Sequence, residues 1–250
     1  MLDYSEDRKI REKVFHDDRY TDDPRQSISI FYKLSESTKK LYHSFIEKDV
    51  KGKKILEYGC GNGEYCLKLS QAGGIVHGID ISPIAINNAL EKARYLDLKA
   101  NFQVMDAESM DYANNNFDLI YGSGILHHLN LKRSLKEINR VLKNGGEAIF
   151  FEPLGHNVCI NMFRFFTPKL RTKDEHPLLN SDIEYIQKVY PNTYFGYHHM
   201  TTFFSLPLIN TRYFQSILKV FDRFDNMLID RIPSVGKYCW ITIIKIKKSK

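Results

Sequence analysis

The sequence predicts an α/β fold, a mostly parallel sheet with helices on both faces. Three observations carry that prediction. Short apolar runs alternate with amphipathic segments between Lys54 and Pro153. Three consecutive runs end in an acid (Glu57, Asp80, Asp106). Three alternate glycines (Gly59, Gly61, Gly63) follow the first of these runs. Alternation of this kind calls for parallel strands joined by crossover helices. Glycines at a strand-to-helix turn let the backbone bend sharply and let a ligand come close to the main chain. The amides that open the following helix then face that ligand.

The elements follow in order. Residues 1–26 are dense in charge, with Tyr4, Phe15 and Tyr20 as sparse aromatics, and read as a surface arm. From Ser27 to Asp49 the positions Phe31, Leu34, Leu41, Phe45 and Ile46 fit one helical face, with Ser27 as N-cap. Strands are predicted at Lys54–Tyr58, Ile75–Asp80, Asn101–Met105, Phe117–Tyr121 and Glu147–Phe151. Ser82-Pro83 opens the helix that carries Ile86, Ala89, Leu90 and Ala93, because proline at the first helical position gives up no hydrogen bond. A helix through Leu135, Ile138, Val141 and Leu142 is predicted to be capped by Asn144-Gly145-Gly146.

Past Pro153 the periodicity fades and aromatics crowd in. Residues 154–216 read as a lid over the carboxyl edge of the sheet, where such sheets bind ligands. A helix over Phe214–Ile229 and a strand over Lys237–Ile246 close the chain. The organisation expected is therefore an arm (1–26), a ligand-binding core (27–153), a lid (154–216) and a closing segment (217–250).

Composition narrows the function classes. With 43% hydrophobic and 26% charged residues in 250, the chain can bury a full core as an ordinary globular protein. The net charge of +6 comes from scattered lysines rather than a basic stripe interleaved with aromatics, so no nucleic-acid partner is expected. Cys60, Cys66, Cys159 and Cys239 form no C-x-x-C pair and read as reduced thiols. No apolar run reaches membrane-spanning length, and the charged opening reads against a secretory signal. A cytoplasmic location is expected. No H-E-x-x-H or Cys/His ligand spacing occurs, so no metal is expected.

The glycine spacing separates cofactors. A dinucleotide fingerprint has the pattern G-x-G-x-x-G, whereas this chain reads E-x-G-x-G-x-G from Glu57 to Gly63. Asp80 lies roughly 20 positions beyond Gly59, where an α/β cofactor fold places the acid that accepts from ribose hydroxyls.

The ordered segments ILEYGCGNG, GID, MDAESM, FDLIYGSGILHHL and LKEINRVLKNGGEAIFFEP, spanning residues 55–153, resemble the motifs of the UbiE-like (type 11) class I methyltransferases. Those enzymes depend on S-adenosylmethionine (SAM). The resemblance implies a Rossmann-like sheet of seven strands with the aromatic lid inserted after strand five. It implies SAM as cofactor, with Gly59, Gly61 and Gly63 near its methionine part and Glu57 beside them. Asp80 would hold the ribose and Ile81 would pack on the adenine. Asp106 and the amide of Ala107 would read the adenine edge, and Gly122 would offer a carbonyl to the ammonium. Tyr20 of the arm would add an aromatic wall.

The function that follows is methyl transfer by in-line displacement to a small-molecule acceptor, quinone-like, lipid or secondary metabolite, at O, N or C. A nucleic-acid methyltransferase and a catalytically silent SAM-fold subunit that binds a partner stand as alternatives. A hydroxyl or carbon acceptor needs a base, and His127, in the loop after strand four, is the candidate chosen over His128. The lid aromatics point to a flat or apolar acceptor.

Overall fold

The computed structural model describes residues 4–21, 29–170 and 172–249, with the side chains of residues 4, 5, 19–21, 29, 30, 32 and 169 excepted. The chain opens with three helices, α1 (Tyr4–Thr21), α2 (Ser29–Leu34) and α3 (Glu36–Ile46). Five parallel strands then alternate with helices: β1 (Lys54–Tyr58), α4 (Glu64–Gln71), β2 (Ile75–Asp80), α5 (Pro83–Tyr95), β3 (Ala100–Val104), β4 (Phe117–Ser123), α6 (Leu131–Val141) and β5 (Leu142–Pro153). Next come α7 (Val158–Phe166), α8 (Asn180–Val189), β6 (Tyr194–His198), α9 (Phe214–Arg231) and β7 (Ile241–Lys247). Among the described residues the strands form one sheet in the order β3-β2-β1-β4-β5-β7-β6. Only β7 runs antiparallel to its neighbours, β5 and β6.

Strand alternation sorts the core into two layers. Ile55, Val76, Leu119, Tyr121, Ile149 and Ile243 pack against α3, α4 and α5. Leu56, Ile79, Ile120, Ala148, Phe150 and Ile244 pack against α6 and α8 on the other face. A smaller cluster of Leu34, Ile160, Phe203, Phe214 and Leu218 ties α2, α7 and α9 into a cap at the carboxyl edge of the sheet.

The structure departs from the sequence-based expectation at several points, among them the closing strand, which begins only at Ile241. The helix expected over residues 27–49 is two helices, broken at Ser35, whose hydroxyl bonds the carbonyl of Phe31 at 3.0 Å; such back-bonding bends helices. Its expected cap, Ser27, lies outside the described residues. Asn144-Gly145-Gly146 is not a helix cap: β5 starts directly after α6, and the Gly145 amide bonds the Lys248 carbonyl at 3.0 Å. The third strand begins one residue early, at Ala100. Finally, α8 and β6 come from the stretch expected to be lid, yet they pack with the sheet. The strand β6 showed no period because it is an edge strand, with mostly half-covered residues on both faces.

Gly63 caps α4 at φ 68°, and a Cβ built there would lie 2.6 Å from the Phe102 ring. Left-handed backbone and close packing both exclude a side chain at this position. Gly63→Ala should therefore lower the unfolding free energy by about 1–3 kcal/mol, read as a shift in urea midpoint without a change in slope.

Candidate active site

A cavity of about 890 Å³ lies at the carboxyl ends of β1, β2, β4 and β5, closed above by α1 and α7. One half is bordered by Gly59, Asp80, Ile81, Asp106 and Ala107, the other by Ser123, Gly124, Ile125, His127 and His128. Phe31, Phe151, Ile160, Phe163 and Trp240 add apolar wall.

The turn after β1 is left-handed at each glycine, with φ 76° at Gly59, 51° at Gly61 and 68° at Gly63. Of the three, only Gly59 borders the cavity. Gly61 offers its amide to Asp80 Oδ2 at 2.8 Å, while Asp80 Oδ1 accepts from the Ser82 amide at 2.9 Å. Asp80 is thus held at both oxygens by backbone; burial nonetheless pushes its pKa up, with those amides opposing. Ser82 in turn caps α5, accepting from the Ala85 amide at 3.1 Å, and its hydroxyl donates to Asp17 of α1.

Glu57 does not reach the cavity wall. Its Oε2 accepts from the Cys66 amide at 3.1 Å and from the Tyr121 hydroxyl at 2.9 Å, tying β1 to α4 and β4. Gly122 is also beneath the floor: its carbonyl accepts from the Tyr42 hydroxyl at 2.8 Å. A Cβ there would lie 2.7 Å from Ile125. Asp106 accepts from the Glu108 amide at 2.8 Å and pairs with Lys9 of α1 at 2.8 Å. Ala107 receives the Tyr58 hydroxyl on its carbonyl. The side chain of Tyr20 lies outside the described residues.

His127 borders the cavity and is 6% exposed. Its Nδ1 lies 2.7 Å from Oε2 of Glu152, and Oε1 of Glu152 accepts from the amides of Ile125 and Leu126, each at 2.9 Å. With Glu152 accepting from Nδ1–H, the basic nitrogen left to the imidazole is Nε2. His128 turns elsewhere, with Nδ1 3.0 Å from Glu12 of α1. The helix is strapped across the opening by further pairs: Arg8 with Glu108, and Arg11 with Asp174 at 2.7 Å.

Sequence reasoning missed Glu152, Lys9, Glu12, His16 and Glu175. The signal for Glu152 was present, since it is another acid ending a strand, directly before Pro153. The others lie in charged stretches with no pattern of their own.

Residues 56–150 match the model of a family described as a methyltransferase domain. Over 140 residues the chain is 38% identical to an uncharacterized protein of Methanocaldococcus jannaschii, covering 50% of this chain and 51% of that one. Over 116 residues it is 33% identical to a ubiquinone biosynthesis O-methyltransferase of Coxiella burnetii, covering 45% and 49%. The chain thus spans about half the length of these curated relatives. The crystal structure of a magnesium protoporphyrin IX methyltransferase from Synechocystis, with bound S-adenosylhomocysteine, superposes with a TM-score of 0.57 at 12% identity, covering 97% of this chain and all of that one. That likeness establishes the fold. Residues 56–150 are thus similar to the methyltransferase-domain family, and they lie within a seven-stranded, mostly parallel sheet of the fold that the Synechocystis structure shares.

Burial raises the Glu57 carboxyl to about 7, against the opposing bonds from Cys66 and Tyr121. Between its ordinary value of 4.5 and about 7, the folded state holds a proton that the unfolded state has released, so the slope of stability against pH is negative there. The stabilisation is complete below 4.5 and is lost as pH rises through about 7. Denaturant titrations of the protein without SAM should show this loss, on the order of 3 kcal/mol. Glu57→Gln should flatten it.

Proposed function

We propose that the protein transfers the methyl group of SAM to a small, flat or apolar acceptor bearing an ionisable hydroxyl. The observation that carries this reading is a single cavity that joins the Gly59–Asp80 half to a histidine held by a buried carboxylate. At about 890 Å³ it is at the upper end of ligand clefts, with room for a cofactor and a small acceptor together.

The donor set fits SAM. Asp80 presents a backbone-anchored carboxylate suited to ribose hydroxyls, and Ile81 gives an apolar face for a purine. Asp106 and Ala107 border the same end. Gly59 permits close approach where a side chain would also strike Ile125 at 2.8 Å. Glu57, Gly61, Gly63 and Gly122 support this cradle from behind rather than border it. When bound, SAM supplies an electrophilic methyl group on a sulfonium whose departure leaves a neutral thioether.

The rest falls to the chain's own residues. Aromatic walls exclude water and orient the acceptor for in-line attack. His127 Nε2 takes the acceptor's proton, and Glu152 fixes the ring and stabilises the imidazolium that results. The named methyltransferase relative, which acts in ubiquinone biosynthesis, is consistent with an acceptor of this class.

Two measurements check the reading. Calorimetry should show SAM binding to the intact chain, weakened by roughly 1–3 kcal/mol in Asp80→Ala; equal affinity in a folded Asp80→Ala would remove Asp80 from the cofactor site. A labelled-methyl screen across phenols, amines and lipids should then yield a hydroxyl acceptor. On it, His127→Ala should lose about 10²–10⁴-fold in turnover with SAM affinity retained. Near-normal turnover would leave His127 with no role in proton removal.

A further inference from the structure

Glu12 and His16 stand one turn apart on α1, and His128 meets them from the short turn after β4. All three border the cavity. Glu12 Oε2 lies 3.0 Å from His128 Nδ1 and 3.6 Å from His16 Nε2, and the three ligand atoms lie within 4.8 Å of one another. Glu12 is 5% and His128 7% exposed. Glu12 Oε2 and His128 Nδ1 face each other as an ion pair, yet both are buried atoms that make no hydrogen bond among the described residues. Buried polar atoms left this way carry a substantial cost.

Three potential ligand atoms that converge within 4.8 Å from two separate elements are arranged as ligands of a cation are. Bonds of about 2.0–2.2 Å to a tetrahedral ion set its ligand atoms roughly 3.3–3.6 Å apart. Of the two separations, 3.6 Å sits at the upper end of that range and 3.0 Å a few tenths of an ångström below it. Thr172 donates its hydroxyl to the other oxygen of Glu12, which is the outer support that metal-bound carboxylates use.

We propose that Glu12, His16 and His128 form a binding site for one divalent transition-metal ion, with its remaining coordination open to the cavity. Two imidazoles and one carboxylate suit Zn²⁺ or Fe²⁺ rather than Mg²⁺ or Ca²⁺, which take oxygen ligands. The neighbouring group of His127, His128 and Glu175 is the poorer site. There Glu175 is paired with Arg164 at 2.6 Å, and His127 is engaged by Glu152. The metal triad escaped the sequence motifs because its ligands come from two distant elements. Two of them ride on α1 and one on the core, so the site is complete only when α1 is closed. Resting on the methyl-transfer reading, the open position would take the acceptor's oxygen and favour its ionised form; the site itself does not depend on that reading.

The test uses the full chain freed of metal, without SAM or acceptor. Calorimetry with Zn²⁺ should give one equivalent per chain, and Co²⁺ should give the visible absorption of a four-coordinate site. Binding should weaken at least tenfold in His16→Ala and in Glu12→Gln. Zn²⁺ should raise the melting temperature of the wild type but not of His16→Ala. His16 is only half-buried, and circular dichroism verifies that the variant folds. No saturable binding, or binding that both variants leave unchanged, overturns the proposal. SAM titrations of the same samples separate the two readings: intact SAM affinity with no metal site would sink only this one.

Discussion

A carboxylate with no access to solvent fixes the shape of the His127 half of the cavity. Glu152 ends β5 fully buried, and its two oxygens collect the amides of Ile125 and Leu126 and the ring of His127. A buried charge is tolerated only when it is fully hydrogen-bonded, and among the described residues the loop after β4 supplies its bonds. The loop cannot leave without stranding the charge. The same constraint holds His127 in one tautomer at the cavity wall. The adjacent Gly124, at φ 67° and bonded through its amide to the Phe151 carbonyl, lets the chain turn tightly enough to reach Glu152.

The Asp80 half is held differently. Asp80 is fastened by backbone amides, but its roof, α1, is fastened almost wholly by charge: Arg8 to Glu108, Lys9 to Asp106, Arg11 to Asp174, Glu12 to His128. Its described side chains include exposed Ile10 and Val14 and add little to the core. Partly buried ion pairs of this kind hold a geometry without the large favourable term that apolar burial gives. The roof is thus held by pairs of charges, whereas the floor is built on the buried apolar residues Leu56, Tyr58 and Ile79.

The contrast explains what the sequence disclosed. The strands β1 and β2 were legible at their full length, because a buried parallel strand must be apolar and its end must be punctuated. The glycine turn was legible because left-handed backbone leaves few residue choices. The break at Ser35 was not, since a serine in a helical pattern gives no warning that its hydroxyl will compete for a carbonyl. Likewise β6 stayed hidden, because an edge strand has no single face to protect from water. Glu57 and Gly122, singled out by the resemblance, do not border the cavity, and Tyr121, Cys66 and Tyr42 bond their polar atoms. No spacing rule could have paired Glu12 with His128, whose meeting depends on where a charged helix comes to rest.

That meeting gives the two adjacent histidines separate duties. In a turn with three residues per revolution, neighbouring side chains leave the axis in different directions. His127 accordingly finds Glu152 in the sheet and His128 finds Glu12 on the roof. One ring is set permanently by the core; the other completes its surroundings only when α1 lies across the opening. One helix therefore places Lys9 on Asp106 at one end of the cavity and Glu12 on His128 at the other.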